Sequence, residues 1–441
     1  MKRWLKLIAT GASLCLLAAC NAGTPGQTSS QGPTTAPVTT TSQTAPETSA
    51  PTGDPVTLTY ATWSEDQKPA MQQIADAFQD ANPTITIDVQ ALPWPDFWTK
   101  LEAGMTGGVA PDSFWMLADK YQPYADAGML LEMDDAIKQA GVDVSKYPQA
   151  IVDMYTRDGK LWGLPKDFDT NGLWYNKEIF DAAGVDYPSA DWTWEDLRAA
   201  AKELTNAEQG VYGIAAPIDR QSGYYNTIFQ AGGQVLSDDK KTALYDTPEA
   251  IEGLQFWVDL MTDGSSPSLQ QMSDTESVTM FMQGKLAMYQ SGAYWAKRFY
   301  DDEAFRPKVG VQVLPMGKQR ATVTSGILNA GNAHTEHPEE LRQWLLFLGG
   351  QEAAEIQGRT GAVLPAYEGT QQTWVDSMPE FGLQVFLDEV EYSVPLPVSD
   401  NTAAWVGLET EFLMPAWEGQ ESVADAAKKL TEAVNAKLAE E

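Results

Sequence analysis

Acidic and aromatic side chains recur together along this chain. Trp63-Ser64-Glu65-Asp66, Trp94 to Trp98, Trp115 to Asp119, Tyr224-Tyr225, Tyr294-Trp295 and Trp405 each set Trp or Tyr beside acids or turns. A sugar ring presents apolar C–H faces and hydroxyl donors, which aromatic platforms and carboxylate acceptors match. Taken singly, any of these aromatics reads as core packing.

Asp167-Phe168-Asp169-Thr170-Asn171-Gly172, followed after five residues by Glu178, fits the calcium-loop expression of an EF-hand at every position. Its context does not. Leu161-Trp162-Gly163-Leu164-Pro165 is not a helix entering a loop, and Leu173-Trp174-Tyr175 reads as a strand. The two histidines, His334 and His337, lie in a polar stretch before a helix and read as loop residues. No Gly-rich phosphate loop, G-x-S-x-G elbow or basic stripe is present. Paired carboxylates from distant strands, as in a secreted glycoside hydrolase, stay open as an alternative, as does a calcium-dependent binding module.

The elements that position these residues begin at Val56-Thr57-Leu58-Thr59-Tyr60, a β-type alternation. Met71, Ile74, Ala75 and Phe78 then share one helical face, and Thr84 to Val89 is the next strand. Strand, helix and strand so close together make a βαβ unit and point to an α/β fold. Further helices are predicted at 136–140, 194–204, 248–261, 338–348 and 423–438.

The chain opens with Lys2, Arg3 and Lys6, an apolar run from Leu7, and Leu17-Ala18-Ala19-Cys20. This is the build of a secretory signal peptide, and Leu-Ala-Ala-Cys resembles the lipobox of bacterial lipoproteins, whose Cys takes a diacylglycerol. Cys15 is a poorer candidate, because bulky Leu14 precedes it. The apolar run is too short to span a bilayer. The expectation is a signal peptide over 1–19 and a lipid anchor at Cys20, on the outer face of the cytoplasmic membrane. Residues 20–54, rich in Thr, Ser, Pro and Gly without an aromatic, read as a flexible linker. Beyond Cys20 there is no cysteine, so the fold depends on an apolar core. A net charge of −32 argues against nucleic acid and anionic lipid surfaces as partners.

Pro111-Asp112-Ser113-Phe114-Trp115, Tyr124-Ala125 and Gly128 to Leu131 resemble the first-lobe signature of carbohydrate-binding lipoproteins that serve ABC importers, the family 1 extracellular solute-binding proteins. Asp158 to Pro165 running into Leu173-Trp174-Tyr175-Asn176-Lys177 is similar to their crossing between lobes. Trp192 to Leu197, Gly284 to Met288 and His337-Pro338-Glu339-Glu340 match in the family's order. The resemblance implies an α/β fold of two doubly wound lobes joined by hinge crossings. The first lobe would take 55–168 and return over 321–361; the second would take 169–320 and 362–441. It implies a sugar, more readily an oligosaccharide, bound between lobes and handed to a membrane permease by a monomer with no enzymatic activity, cofactor or metal.

By the same resemblance, Trp63, Glu65, Asp66, Trp115 and Asp119 are first-lobe sugar contacts, and Asp167 and Asp169 act at the hinge and cleft as hydroxyl acceptors. Tyr225, Tyr294 and Trp405 are second-lobe aromatics, with Trp295 competing with Tyr294. Ser325-Gly326 brings backbone to the ligand at the second crossing. Asp112 and Asn176 are assigned to structure. Trp405 also shares helical spacing with Leu408 and Phe412, the core-packing alternative for that ring.

Overall fold

Over residues 85–90, alternation separates a core face from a water face. A computed structural model describes residues 54–441; the expected signal peptide, Cys20 and the linker up to residue 53 lie outside the described residues. Strand β1 (Val56–Thr62) pairs in parallel with β2 (Ile85–Ala91), where Ile85, Ile87 and Val89 are buried and Thr86, Asp88 and Gln90 exposed. Helix α1 (Lys68–Ala81) joins them and buries Ala70, Met71, Ile74, Ala75 and Phe78, a stripe at three- and four-residue spacing. Helix α2 (Trp94–Gly107) ends on Gly108 in the left-handed region, φ +70°, where glycine closes a helix without Cβ strain. Strand β3 (Ser113–Leu117) follows, leading directly into α3 (Ala118–Asp126).

After a short hairpin of β4 (Thr156–Arg157) and β5 (Lys160–Leu161), the chain builds a second sheet. It comprises β6 (Asn171–Asn176), β7 (Tyr212–Ile214), β8 (Leu286–Gly292) and β9 (Val309–Val313). Strand β6 is antiparallel to both β8 and β9, and β7 is parallel to β8. Then β10 (Thr322–Thr324) leads to β11 (Ile327–Gly331), and β12 (Ser393–Pro395) pairs in parallel with β10. The sheet orders are β11-β3-β1-β2 and β7-β8-β6-β9. The first sheet is therefore completed by a returning strand, β11, antiparallel to β3.

The two sheets are the centres of two α/β lobes, and the chain crosses between them in extended segments. Antiparallel bridges link Pro165 to Leu328, Asp167 to Pro365 and Asp169 to Ser325. Tyr155 locks this junction by donating its hydroxyl to the carbonyls of Met116 at 3.0 Å and Gly326 at 2.7 Å. Helices Pro248–Thr262, Val406–Trp417 and Val423–Leu438 pack together on the second lobe. Among the described residues no helix is long and apolar enough to cross a membrane.

Predicted helices at 194–204 and 423–438 match the observed bounds. The one predicted at 136–140 runs Asp134–Gln139. Asp112 and Asn176 are structural in their contacts. Asp112 accepts from the Thr59 N–H and hydroxyl, both at 2.8 Å, and Asn176 caps the helix Lys177–Ala183.

Candidate functional site

The carboxyl ends of β1 and β3 and the crossing segments bring most of the sequence-predicted residues to one region, where α/β sheets place ligands. Their surroundings differ sharply.

Asp169 sits on the crossing strand, its N–H donating to the Ser325 carbonyl at 2.8 Å. Its Oδ1 accepts from the Ala293 N–H at 2.7 Å. Its Oδ2 is buried without a partner. Burial pushes this carboxyl well above the ordinary carboxylate range, although the Ala293 N–H pulls the other way. The seat exists because residue 292 is glycine: a Cβ there would collide with Asp169 Oδ2 and the Tyr294 ring. The half-buried Tyr294 places its hydroxyl 3.2 Å from both Ser222 Oγ and Ser291 Oγ. The neighbouring Trp295 is also half-buried, donates to Ser291 Oγ at 3.1 Å and stacks on Phe299. A lone carboxyl oxygen beside the Tyr294 ring can exchange hydrogen bonds with a polyhydroxylated ligand.

Asp167, two residues earlier, has no such freedom. Its Oδ1 accepts from the Ile327 N–H at 2.8 Å, and its Oδ2 pairs with Lys166 Nζ at 2.7 Å. Lys166 in turn donates to Gln67 Oε1 at 3.0 Å and lies 4.3 Å from the centre of the Trp115 ring. Burial lowers the Lys166 ammonium below its ordinary value, and Asp167 draws it back. The expectation that Asp167 serves as a hydroxyl acceptor is therefore corrected: both oxygens hold the crossing together. Asp167 and Asp169 diverge, and among the described residues no three acids, histidines or cysteines converge as a metal cluster.

On the first lobe, Trp63 stands edge-to-face against Trp94, Phe97 and Trp115 at 5.2, 5.1 and 5.0 Å. Trp94 remains 46% exposed, and Glu65 and Asp66 are exposed beside this shelf. Trp115 is fully buried and donates to Tyr60 at 2.6 Å, so it supports the shelf from below and offers no ring face. Asp119 opens α3 and meets Arg220, from the second lobe, in an ion pair.

Three further expectations change. Tyr225 is buried, its hydroxyl donating to Glu409 beside Tyr245. Trp405 is also fully buried, donating to Ser399 Oγ at 2.8 Å. It precedes the helix Val406–Trp417 instead of lying within it, so the spacing to Leu408 and Phe412 does not define its face. At Gly326 the close neighbour is the crossing itself: a Cβ would strike the Asp167 carbonyl and Ile151. Ser325 contributes its backbone to Asp169. Sequence reasoning missed Arg220, Ser222 and Gly292. Arg220 and Asp119 are 101 residues apart, and no local pattern marks either Arg220 or the glycine.

The model of the bacterial extracellular solute-binding proteins matches residues 61–355, spanning both sheets. The chain belongs to that family. A putative binding protein of Brucella abortus is 26% identical over 62% of this chain and 66% of its own length. An arabinooligosaccharide-binding protein of Halalkalibacterium halodurans is 25% identical over 62% of this chain and 64% of its own. These matches thus span just under two thirds of the relatives' lengths. An ABC substrate-binding protein of Listeria monocytogenes, solved in complex with cycloalternan, superposes with a TM-score of 0.81. It is 28% identical, over 88% of this chain and 100% of that one. The fold is that of the two-lobed binding proteins, and the family is one of binding proteins and not of enzymes.

Proposed function

We propose that this chain captures a carbohydrate between its lobes and delivers it to the permease of an ABC importer, without covalent chemistry. The observation that carries the reading is the unpartnered Asp169 Oδ2 in the Gly292–Tyr294 seat. A buried polar atom without a partner is costly, and a ligand hydroxyl removes that cost. The shelf of Trp63 and the exposed Trp94 on the opposite lobe gives further rings somewhere to rest, which favours an oligosaccharide. The oligosaccharides named for the relatives agree with this. The contacts we assign are Asp169 and Tyr294 with Trp295 from the crossing and second lobe, and Trp63, Glu65, Asp66 and Asp119 from the first.

Lobe closure follows when the closed form alone offers contacts from both sides, so ligand shifts a hinge equilibrium. We assign Cys20 as the lipid attachment that holds the protein at the outer face of the membrane, as a monomer. Replacing Cys20 by Ser then releases the protein from membranes or blocks its processing; unchanged retention and mass contradict the anchor. The binding reading is tested by melting the purified protein with a panel of mono- and oligosaccharides and assaying the same sugars for cleavage. A melting shift with intact sugar supports it. Cleavage restores the hydrolase alternative.

A further inference from the structure

Asp119 lies at the carboxyl end of β3 in the first lobe, and Arg220 opens the turn between β7 and Tyr225 in the second. Their ion pair spans the cleft, with the Asp119 side chain 5% exposed and that of Arg220 26%. Two further acidic residues act on Arg220 through their charge. Asp219 accepts from the Ser222 N–H at 2.7 Å, and Glu409 accepts from the hydroxyls of Tyr225 and Tyr245; its charge acts on Arg220, as does that of Asp119. Burial raises the Asp219 and Glu409 carboxyls above the ordinary carboxylate range, and the Arg220 guanidinium opposes that rise, so one cation serves three acidic residues.

Among the described residues, other ion pairs between segments assigned to the two lobes are exposed, as Lys146–Glu368 is at 2.7 Å. Arg157 reaches Asp400 only at 3.7 Å, and the Asp400 side chain is 76% exposed. Arg157 is held more closely by Asp126, within its own lobe, at 2.7 Å. An exposed pair of that sort contributes little. Asp119–Arg220 is the polar contact with leverage on the cleft.

We propose that Arg220 is the chain's own stand-in for the ligand: its guanidinium fills the donor position at Asp119, holds the lobes together, and is displaced by a ligand that brings donors of its own. This rests on the sugar-binding reading above and sharpens its substrate class. The paired hydroxyls of a neutral sugar, or an amine, replace the guanidinium N–H groups at Asp119. Arg220 then turns back to Glu409 and Asp219, which keep its charge compensated. A uronate or a phosphorylated sugar brings a further negative charge into a site already rich in carboxylates, and is rejected.

The test uses the mature chain as parent, D119N, R220Q and R220K, all checked for a cooperative melt. Without added sugar, small-angle scattering should give a larger radius of gyration for D119N and R220Q than for the parent, with R220K close to the parent. Equal radii for all four overturn the claim that the pair holds the lobes. Calorimetric titrations then use maltotriose, α-1,5-arabinotriose, the glucosamine trimer and the galacturonate trimer. Among the probes that bind the parent, a neutral or amine-bearing one should bind D119N at least tenfold more weakly and R220Q as tightly or several-fold more tightly. The galacturonate trimer should fail with the parent and gain affinity in D119N, where Arg220 is freed. Full affinity in D119N, or preference of the parent for the galacturonate, overturns the assignment. Failure of every probe with the parent counts against the sugar reading, and the scattering comparison still decides the ion pair.

Discussion

The two walls of the cleft use similar residues to opposite ends. On the first-lobe side, Trp115 and the Lys166–Asp167 pair are buried with every polar atom matched: Trp115 to Tyr60, Lys166 to Gln67 and Asp167, and Asp167 to the Ile327 N–H. On the second-lobe side, Asp169 is buried almost as deeply but keeps one oxygen without a partner. Two aspartates two residues apart thus differ in partnership, and on our proposal one supports the crossing while the other recognises ligand. Burial does not separate the roles; hydrogen-bond satisfaction does.

The largest effects should come from the satisfied side. Replacing Asp167 by Ala strands the Lys166 ammonium in the interior, and breaking a buried pair costs about 3–5 kcal/mol. Thermal or urea melts should show that loss in full; a variant that melts like the parent breaks the contrast. Trp405 belongs to the same class by its burial. Its replacement by Ala should cost about 3–5 kcal/mol of stability, whereas a ring that stacks on sugar would lower affinity and leave the melt nearly unchanged.

Asp169 should behave in the reverse sense. At pH below the ordinary carboxylate range D169N should change stability little, while sugar affinity falls by about tenfold, or 1.4 kcal/mol. The pH dependence sharpens the difference. The Asp169 pKa is raised in the folded chain, so the native state binds this proton more tightly than the unfolded one. The associated stability is present below the ordinary carboxylate range near ~4. It is lost as pH rises through the raised value. Melts across that window should flatten in D169N; an unchanged profile assigns the dependence elsewhere. The smallest effect is expected at the exposed Trp94, where Ala should shift stability by about 0.5 kcal/mol or less. It should weaken long oligosaccharides more than short ones, as calorimetry with a chain-length series would show.

Much of the fold was legible because local signals agree with the tertiary result. The Met71, Ile74, Ala75 and Phe78 stripe is the buried face of α1. The helix Trp194–Leu204 begins where Thr193 and Asp196 form a reciprocal cap. The site was legible in residue type and not in partnership. Lys166 beside Asp167 is the one local sign of the difference, and the other partners come from residues 327 and 293. Gly292 matters only because Asp169 and Tyr294 approach it in space. Trp405 misled because the family resemblance outweighed the core-packing alternative that its spacing offered, and the ring is fully buried.

The most direct test of the central claim is a melting titration of parent and D169N with the oligosaccharide that binds the parent. At a concentration about 100 times its Kd, sugar should add roughly 2.7 kcal/mol to the parent, a shift of a few degrees. The same concentration should stabilise D169N much less, with sugar recovered uncleaved from both. Equal stabilisation of the two proteins would contradict the account, because the unpartnered oxygen of Asp169 would then have no part in holding the ligand.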